Sequence, residues 1–313
     1  MPRRSRLAVI AAALLVALGL QGSASPSPVP GYVGTFRWLM ADARFGGFSA
    51  IDLSADGTRF TALNDRGAFV QGLLRRAADG TISAVEAGPI LRLKSNTDKP
   101  IAPGRNDSEG VAVAPDGTTY VSFEGVARVL RYCDITGHAE NLPTPPEFAE
   151  FPHNASLESL AIDAHGALFT IPEEVTYAKP IRLLTGQKAN LGGRDFPVWR
   201  FAAGEWAQPF DLPRDGGFLP VSADFGPDER LYVLERSFHG IAGFASRVRS
   251  FNVDADGLTD RQLHLQSPTG LHGNLEGLSV WRDQSGAIRL TMISDDNFLS
   301  LLRTEIVEYR LAD

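Results

Sequence analysis

Covalent staples are missing from this chain: it has a single cysteine, Cys133, so an intrachain disulfide is excluded and stability must come from a buried core. Its six histidines are scattered, with no pair at zinc-ligand spacing. There is no Gly-Lys-Ser/Thr phosphate loop, and Gly47-Phe-Ser49-Ala-Ile51 lacks the closing glycine of a nucleophile elbow. Beyond Leu20 no apolar run is long enough to cross a bilayer, and no stretch keeps a long helical period. Basic charge is also in deficit. Lys and Arg total 30 against 37 Asp and Glu, and setting aside Arg3, Arg4 and Arg6 leaves 27 against 37, or −10. A surface of that sign disfavours a phosphate backbone, so nucleic acid is not expected as a partner.

What is present begins with a leader. Arg3, Arg4 and Arg6 precede the apolar run Leu7–Leu20, and Gly22, Ser23 and Ala24 offer a small-residue cleavage point. That order reads as a secretory signal over residues 1–24, followed by a Pro/Ser-rich linker over 25–33 and a single domain over 34–313. The run is shorter than the ~20 residues of a membrane span, which favours cleavage over anchoring. Periplasmic or extracellular export is therefore expected, with no membrane association after cleavage. Arg3-Arg4-Ser5-Arg6-Leu7 partly matches a twin-arginine signal, which leaves the Sec and Tat routes both open.

The domain repeats. Phe48–Asp65, Asp107–Glu124, Ser156–Glu173, Val221–Glu235 and Leu275–Asp295 share one grammar: a short alternating strand, a tight turn, and a second alternating strand. The turns read Asp-Gly, Asp-Gly, His-Gly, Asp-Glu and Ser-Gly, a strong hairpin signal between period-two apolar runs. The hairpins recur roughly every 50 to 60 residues, the scale of a propeller blade. Stacking such units around an axis buries both faces of each and leaves few open edges. The chain is thus expected to be all-β, a β-propeller of four-stranded antiparallel blades. Five hairpins are visible. A sixth blade could come from Trp199–Leu212, or from joining Tyr32–Leu39 to Thr304–Leu311, and six blades are favoured over five.

Hairpin geometry then places the acids. The residue opening the first strand and the residue closing the second lie at one end, opposite the turn. Glu109 and Glu124, Glu158 and Glu173, and Glu276 and Asp295 bracket three hairpins in this way. Asp65 and Glu235 close the other two, which Ser49 and Ser222 open. Closed into a ring, eight carboxylates point at one mouth of the central channel. Like charges that close raise one another's pKa, and a hard cation with oxygen ligands, above all Ca²⁺, relieves the repulsion. The plainer role for any single acid is to accept backbone N–H bonds at strand ends. Asn252-Val-Asp254-Ala-Asp256-Gly257 imitates the start of a calcium loop, but its twelfth position is Leu263, so it reads as an outer hairpin tip. His239 and His272 stand nearest the expected mouth and could serve as general acids, although a solvated loop role is the plainer one.

These residues resemble the phytase-like family named for "esterase-like activity of phytase". The carriers are Gly47-Phe-Ser-Ala-Ile51 with Asn64-Asp-Arg-Gly67, Asp107-Ser-Glu-Gly110, and Leu157-Glu-Ser-Leu160 with Pro172-Glu-Glu174. Leu234-Glu-Arg-Ser-Phe238, Asn274-Leu-Glu-Gly277 and Ser294-Asp-Asp-Asn-Phe298 complete the set. The resemblance implies a propeller with phosphoric-ester or other ester hydrolase activity. In that reading Glu276 and Asp295 are the catalytic carboxylates. Asp65, Glu109, Glu124, Glu158, Glu173, Glu235, Glu276 and Asp295 hold Ca²⁺, and Arg66, Arg236, Asn297 and Arg303 contact a small ester or phosphoester. The working form is expected to be a monomer. Two rival functions remain at this point: a non-catalytic ligand- or partner-binding propeller with structural calcium, and a metal-dependent lactonase.

Overall fold

The computed structural model describes residues 29–174, 193–255, 257–299 and 301–312. The leader, residues 25–28 of the linker and Asp256 lie outside the described residues. The chain opens with β1 (Tyr32–Arg37) and then builds five sheets in sequence order. Blade 1 holds β2 (Phe48–Leu53), β3 (Arg59–Asn64), β4 (Ala68–Arg76) and β5 (Ile82–Ala87), with the short β6 (Leu91–Arg92) paired to β4. Blade 2 holds β7 (Ser108–Val113), β8 (Thr119–Phe123), β9 (Arg128–Tyr132) and β10 (Glu140–Asn141). Blade 3 holds β11 (Ser159–Ile162), β12 (Leu168–Ile171), β13 (Phe196–Ala202) and β14 (Glu205–Leu212). Blade 4 holds β15 (Leu219–Phe225), β16 (Leu231–Phe238), β17 (Phe244–Asp254) and β18 (Gly257–Gln266). Blade 5 holds β19 (Asn274–Arg282), β20 (Ile288–Asp295) and β21 (Glu305–Arg310), and β1 returns as its outermost strand. Among the described residues the helical content is two 3₁₀ turns, Pro146–Glu150 and Gly240–Ala242.

The ring therefore has five blades and not the favoured six. Both candidates for a sixth blade exist as strand pairs, but each completes a blade already begun. Trp199–Leu212 supplies the outer pair β13–β14, and β1 with β21 forms the outer pair of blade 5, with Thr35 opposite Val307. A hairpin of two strands leaves its second edge open, so the degenerate segments are needed to finish four-stranded blades.

Closure is visible in the core. The innermost strands touch in cyclic order β2, β7, β11, β15, β19 and back to β2. Five apolar clusters fill the five gaps between neighbouring blades; one joins Phe48, Ile51 and Phe60 to Trp281 and Ile293 across the last gap. Fully burying such a side chain contributes roughly 1.5–3 kcal/mol, so the gaps are where the ring is held. The free inner edges are satisfied by neighbours: Ser279 Oγ accepts Leu53 N–H and Ser222 Oγ accepts Leu278 N–H.

The five turns share one backbone pattern. The N–H bonds of Ser54, Ala114, Asp163, Gly226 and Asp283 go to the carbonyls of Arg59, Thr118, Ala167, Arg230 and Ala287. Gly57, Gly117, Gly166 and Gly286 take positive φ at the turn, and Glu229 does so in blade 4, at 64°. The Asn252–Gly257 segment is the tip of the β17–β18 hairpin, where Asp254 pairs with Gly257.

Candidate functional site: an acidic channel mouth

Local backbone features aim the opening residues at the channel. The register of the inner pair slips at the start of β2, β7, β15 and β19, at Ser49, at Glu109 and Gly110, at Val221 and at Glu276. A bulge of this kind re-aims the side chain it carries. In blade 3, Glu158 stands directly before β11. The closing residues are fixed by one recurring bond. The N–H groups of Asp65, Glu124 and Glu173 donate to the carbonyls of Gly47, Asp107 and Ser156, at 2.9, 3.0 and 3.1 Å. In blade 5, Asp295 pairs with Asn274.

Blade 4 departs from the expected pattern. Its register pairs Pro220 with Glu235 and Leu219 with Arg236, so the mouth positions belong to Val221 and Arg236, not to Ser222 and Glu235. A one-residue shift along a strand turns a side chain to the other face. Glu235 is wholly buried inside blade 4, where Arg247 Nε donates to it at 2.6 Å and Arg249 donates to both its oxygens at 2.7 and 2.6 Å. It is part of the scaffold, away from the other acids. Counting would have shown this: each closing acid of blades 1 to 3 stands six residues after the turn residue whose carbonyl closes the turn, and six after Arg230 is Arg236.

The remaining predicted acids do converge, and Asp107 joins them. Oxygens of Asp107, Glu109 and Glu124 lie within 4.8 Å of one another. Burial pushes the Glu109 carboxyl well above its usual range, with Glu158, Glu276, Glu124 and Asp107 adding to the effect. Glu158 is raised in the same way by burial and then by Glu173 and Glu124. Burial and the neighbouring Asp107 lift Asp65 and Glu124 to about 7, and burial with Glu276 lifts Asp295 to about 7. Asp107 was legible in the sequence as the residue two before Glu109, the place Asn274 holds before Glu276.

One cation sits among these acids. Arg236 donates from Nε and Nη2 to Glu173 at 3.2 and 2.9 Å, and from Nη1 to Asn274 at 2.8 Å and to Glu276. Asn274 in turn donates to Glu276 at 2.7 Å. Burial works against the Arg236 charge, but Glu276, Glu173 and Glu158 outweigh it and keep the guanidinium protonated. Two oxygens here are buried without a hydrogen-bond partner, Asp65 Oδ1 and Ser156 Oγ.

The expected substrate contacts are spread over the rim. The Arg66 guanidinium lies 3.4 Å above the Phe298 ring, beside Asp65. That ring lies over Gly47, where a Cβ would fall 2.1 Å from it, so the close approach depends on glycine. Asn297 is exposed, with φ at 50°, and its N–H donates to Asp295 at 2.6 Å. Arg303 points outward and meets Glu305 only at 4.0 Å. His272 is buried against Tyr309 Oη at 2.6 Å, and burial lowers its pKa to about 4, so it is not placed to act at the mouth. His239 stands at the exposed start of the Gly240–Ala242 turn.

A cavity of about 1690 Å³ opens at the opposite, turn end of the channel. Its inner carboxylates already serve the fold: Asp52 accepts Val113 N–H at 3.1 Å and Asp224 accepts Val280 N–H at 2.7 Å.

Five closed blades and one crowded acidic mouth define a β-propeller whose Asp107, Glu109 and Glu124 cluster could hold a metal ion. The chain belongs to the phytase-like family, described as "esterase-like activity of phytase", whose model matches residues 43–298. No curated protein matches the chain. Among solved structures it is similar to virginiamycin B lyase from Staphylococcus aureus, at 12% identity over 90% of this chain and 74% of that one, with a TM-score of 0.41. It is also similar to the PQQ-bound aldose sugar dehydrogenase from Streptomyces coelicolor, at 11% identity over 91% and 100%, with a TM-score of 0.42. Membership of the family fits a hydrolase-type role, and among the described residues no helix is long and apolar enough to cross a membrane.

Proposed function

We propose that the chain is an exported, Ca²⁺-dependent hydrolase of phosphoric or other esters, working at the acidic mouth. The observation that carries this reading is the set Asp107, Glu109 and Glu124, whose oxygens come within 4.8 Å of one another beside the unpartnered Asp65 Oδ1. All-oxygen donors with no histidine or thiol among them fit a hard cation such as Ca²⁺. Bound there, Ca²⁺ would supply charge to offset the carboxylates and Lewis-acid polarisation of the ester oxygens. The chain's own residues do the rest. Asp295, lifted to about 7, changes protonation near neutral pH and in this reading takes the proton of an attacking water. Glu276 accepts from Arg236 and Asn274, which fixes its carboxylate beside the other acids. Arg66, with no ion pair among the described residues, offers a guanidinium to an anionic substrate at the rim, with Asn297 beside it. The guanidinium of Arg236 is already engaged by Glu173, Asn274 and Glu276, and Arg303 faces solvent.

The test is a panel of aryl phosphates, phytate, carboxyl esters and lactones offered to the purified mature protein, with Ca²⁺ or with a chelator. Turnover of a phosphoric or carboxylic ester that disappears with the chelator is the expected result. No turnover on any substrate overturns the catalytic reading, and turnover untouched by the chelator overturns the calcium part. Preference for lactones would move the assignment to a lactonase.

A further inference from the structure

We propose that Arg236 is a built-in cation that sets how many metal ions the mouth takes: a divalent ion on the Asp107–Glu109–Glu124 side, and the guanidinium on the Glu158–Glu173–Glu276 side. The inference rests on the metal reading above for the first ion, but its own evidence is separate. Blades 1, 2, 3 and 5 close their hairpins with Asp65, Glu124, Glu173 and Asp295; blade 4 closes with Arg236. That side chain reaches across to Glu173 of blade 3 and to Asn274 and Glu276 of blade 5, which is where a cation bridging those blades would sit.

An oxygen is left over where the two halves meet. Ser156 is 2% exposed and its Oγ has no hydrogen-bond partner, although its N–H donates to Glu124 and its carbonyl accepts from Glu158 and Glu173. Ser156 holds in blade 3 the position that Asp107 holds in blade 2 and Asn274 in blade 5. A guanidinium is planar and directs its donors at fixed angles, so it serves Glu173, Asn274 and Glu276 and leaves the serine oxygen unserved. A spherical ion has no such restriction and takes six to eight oxygens from all sides. Removing the Arg236 charge therefore exposes a latent cation site on Glu158, Glu173 and Glu276, with Ser156 held beside it by the N–H bonds of Glu158 and Glu173, and keeping the charge keeps that site shut.

The experiment counts bound Ca²⁺ per chain, by equilibrium dialysis with elemental analysis, in the full mature protein and its Arg236→Gln and Arg236→Lys variants. All three are prepared in calcium and dialysed identically, so that a variant needing calcium to fold is still counted. Arg236→Gln is expected to hold one ion more than the wild type, and Arg236→Lys the wild-type number. An unchanged count in folded Arg236→Gln, checked by far-UV circular dichroism, overturns the inference, as does a gain in Arg236→Lys. A wild type that binds no Ca²⁺ sinks the metal reading of the blade 2 side. A one-ion gain in Arg236→Gln would still carry the inference in that case.

Discussion

Glu235 and Arg236 are neighbours in the chain and belong to opposite kinds of charged environment. Glu235 lies inside blade 4 between Arg247 and Arg249, two guanidiniums on one carboxylate, with nothing left to add. Arg236 lies at the mouth among Glu173, Glu276 and Glu158, one guanidinium facing a crowd of carboxylates. Both regions are buried and both are polar. The first is balanced by residues of the chain itself and behaves as scaffold. The second carries an excess of negative charge that the fold does not neutralise, and such an excess is sustained only by protonation or by a cation from outside. Burial of acids is therefore uninformative about function until their counter-charges are counted.

That contrast can be broken by experiment. The largest effect is expected from Glu235→Gln, which leaves Arg247 and Arg249 facing an uncharged amide. Breaking a buried pair of this kind costs about 3–5 kcal/mol, read as a fall in the urea midpoint. A loss below about 1 kcal/mol would mean that the site is not the closed scaffold described. The same chemical change at the mouth should act with the opposite sign. Glu109→Gln removes a buried carboxyl from an overcrowded cluster and should stabilise the calcium-free protein, read as a rise in the urea midpoint. It should also weaken Ca²⁺ binding at least about tenfold, which calorimetry would show.

The pH dependence sharpens the comparison further. Asp65, Glu124 and Asp295 have folded-state pKa values of about 7, above the ~4 expected of unfolded carboxyls. Their contribution to stability is present in acid, where they are protonated, and is lost as pH rises through about 7. The calcium-free protein should melt at falling temperature from pH 4 to pH 7, and Ca²⁺ should flatten that slope. A melting temperature that climbs over this range in the absence of metal would contradict the assignment. The smallest effect is expected from Ser156→Ala, which removes an oxygen that has no partner. It should leave calcium-free stability within about 0.5 kcal/mol, because no hydrogen bond is lost. It should also lower the affinity of the extra ion in an Arg236→Gln background.

Much of this was legible in the sequence, and the limits were physical. The five hairpins announced themselves because turn residues and period-two apolar runs are local signals, and the acids at Glu109, Glu124, Glu158, Glu173, Glu276 and Asp295 followed from hairpin geometry alone. Blade number was harder, since Trp199–Leu212 and Tyr32–Leu39 have weak patterns and their partners are set by distant strands. Glu235 misled because an acid at the end of Leu231-Tyr-Val-Leu looks like the acid at the end of Tyr120-Val-Ser-Phe, but Tyr232 matches Tyr120, so Glu235 falls one residue early, at the place of Phe123. Asp107 went unassigned because it stands one residue before β7, outside the strand ends that were counted.

The return of β1 to the outer edge of blade 5 has a consequence for how the molecule is made. Tyr32 pairs with Tyr309, and Thr35 with Val307, so the first strand of the ring finds its partner only when the last has been synthesised. Contacts so far apart along a chain are slow to form. Until then one inter-blade gap, the one holding Trp38, Phe48 and Trp281, stands open with its apolar lining exposed. A chain of this design has a vulnerable interval between emergence and ring closure, in which proteases and other unfinished copies compete with its own final strand.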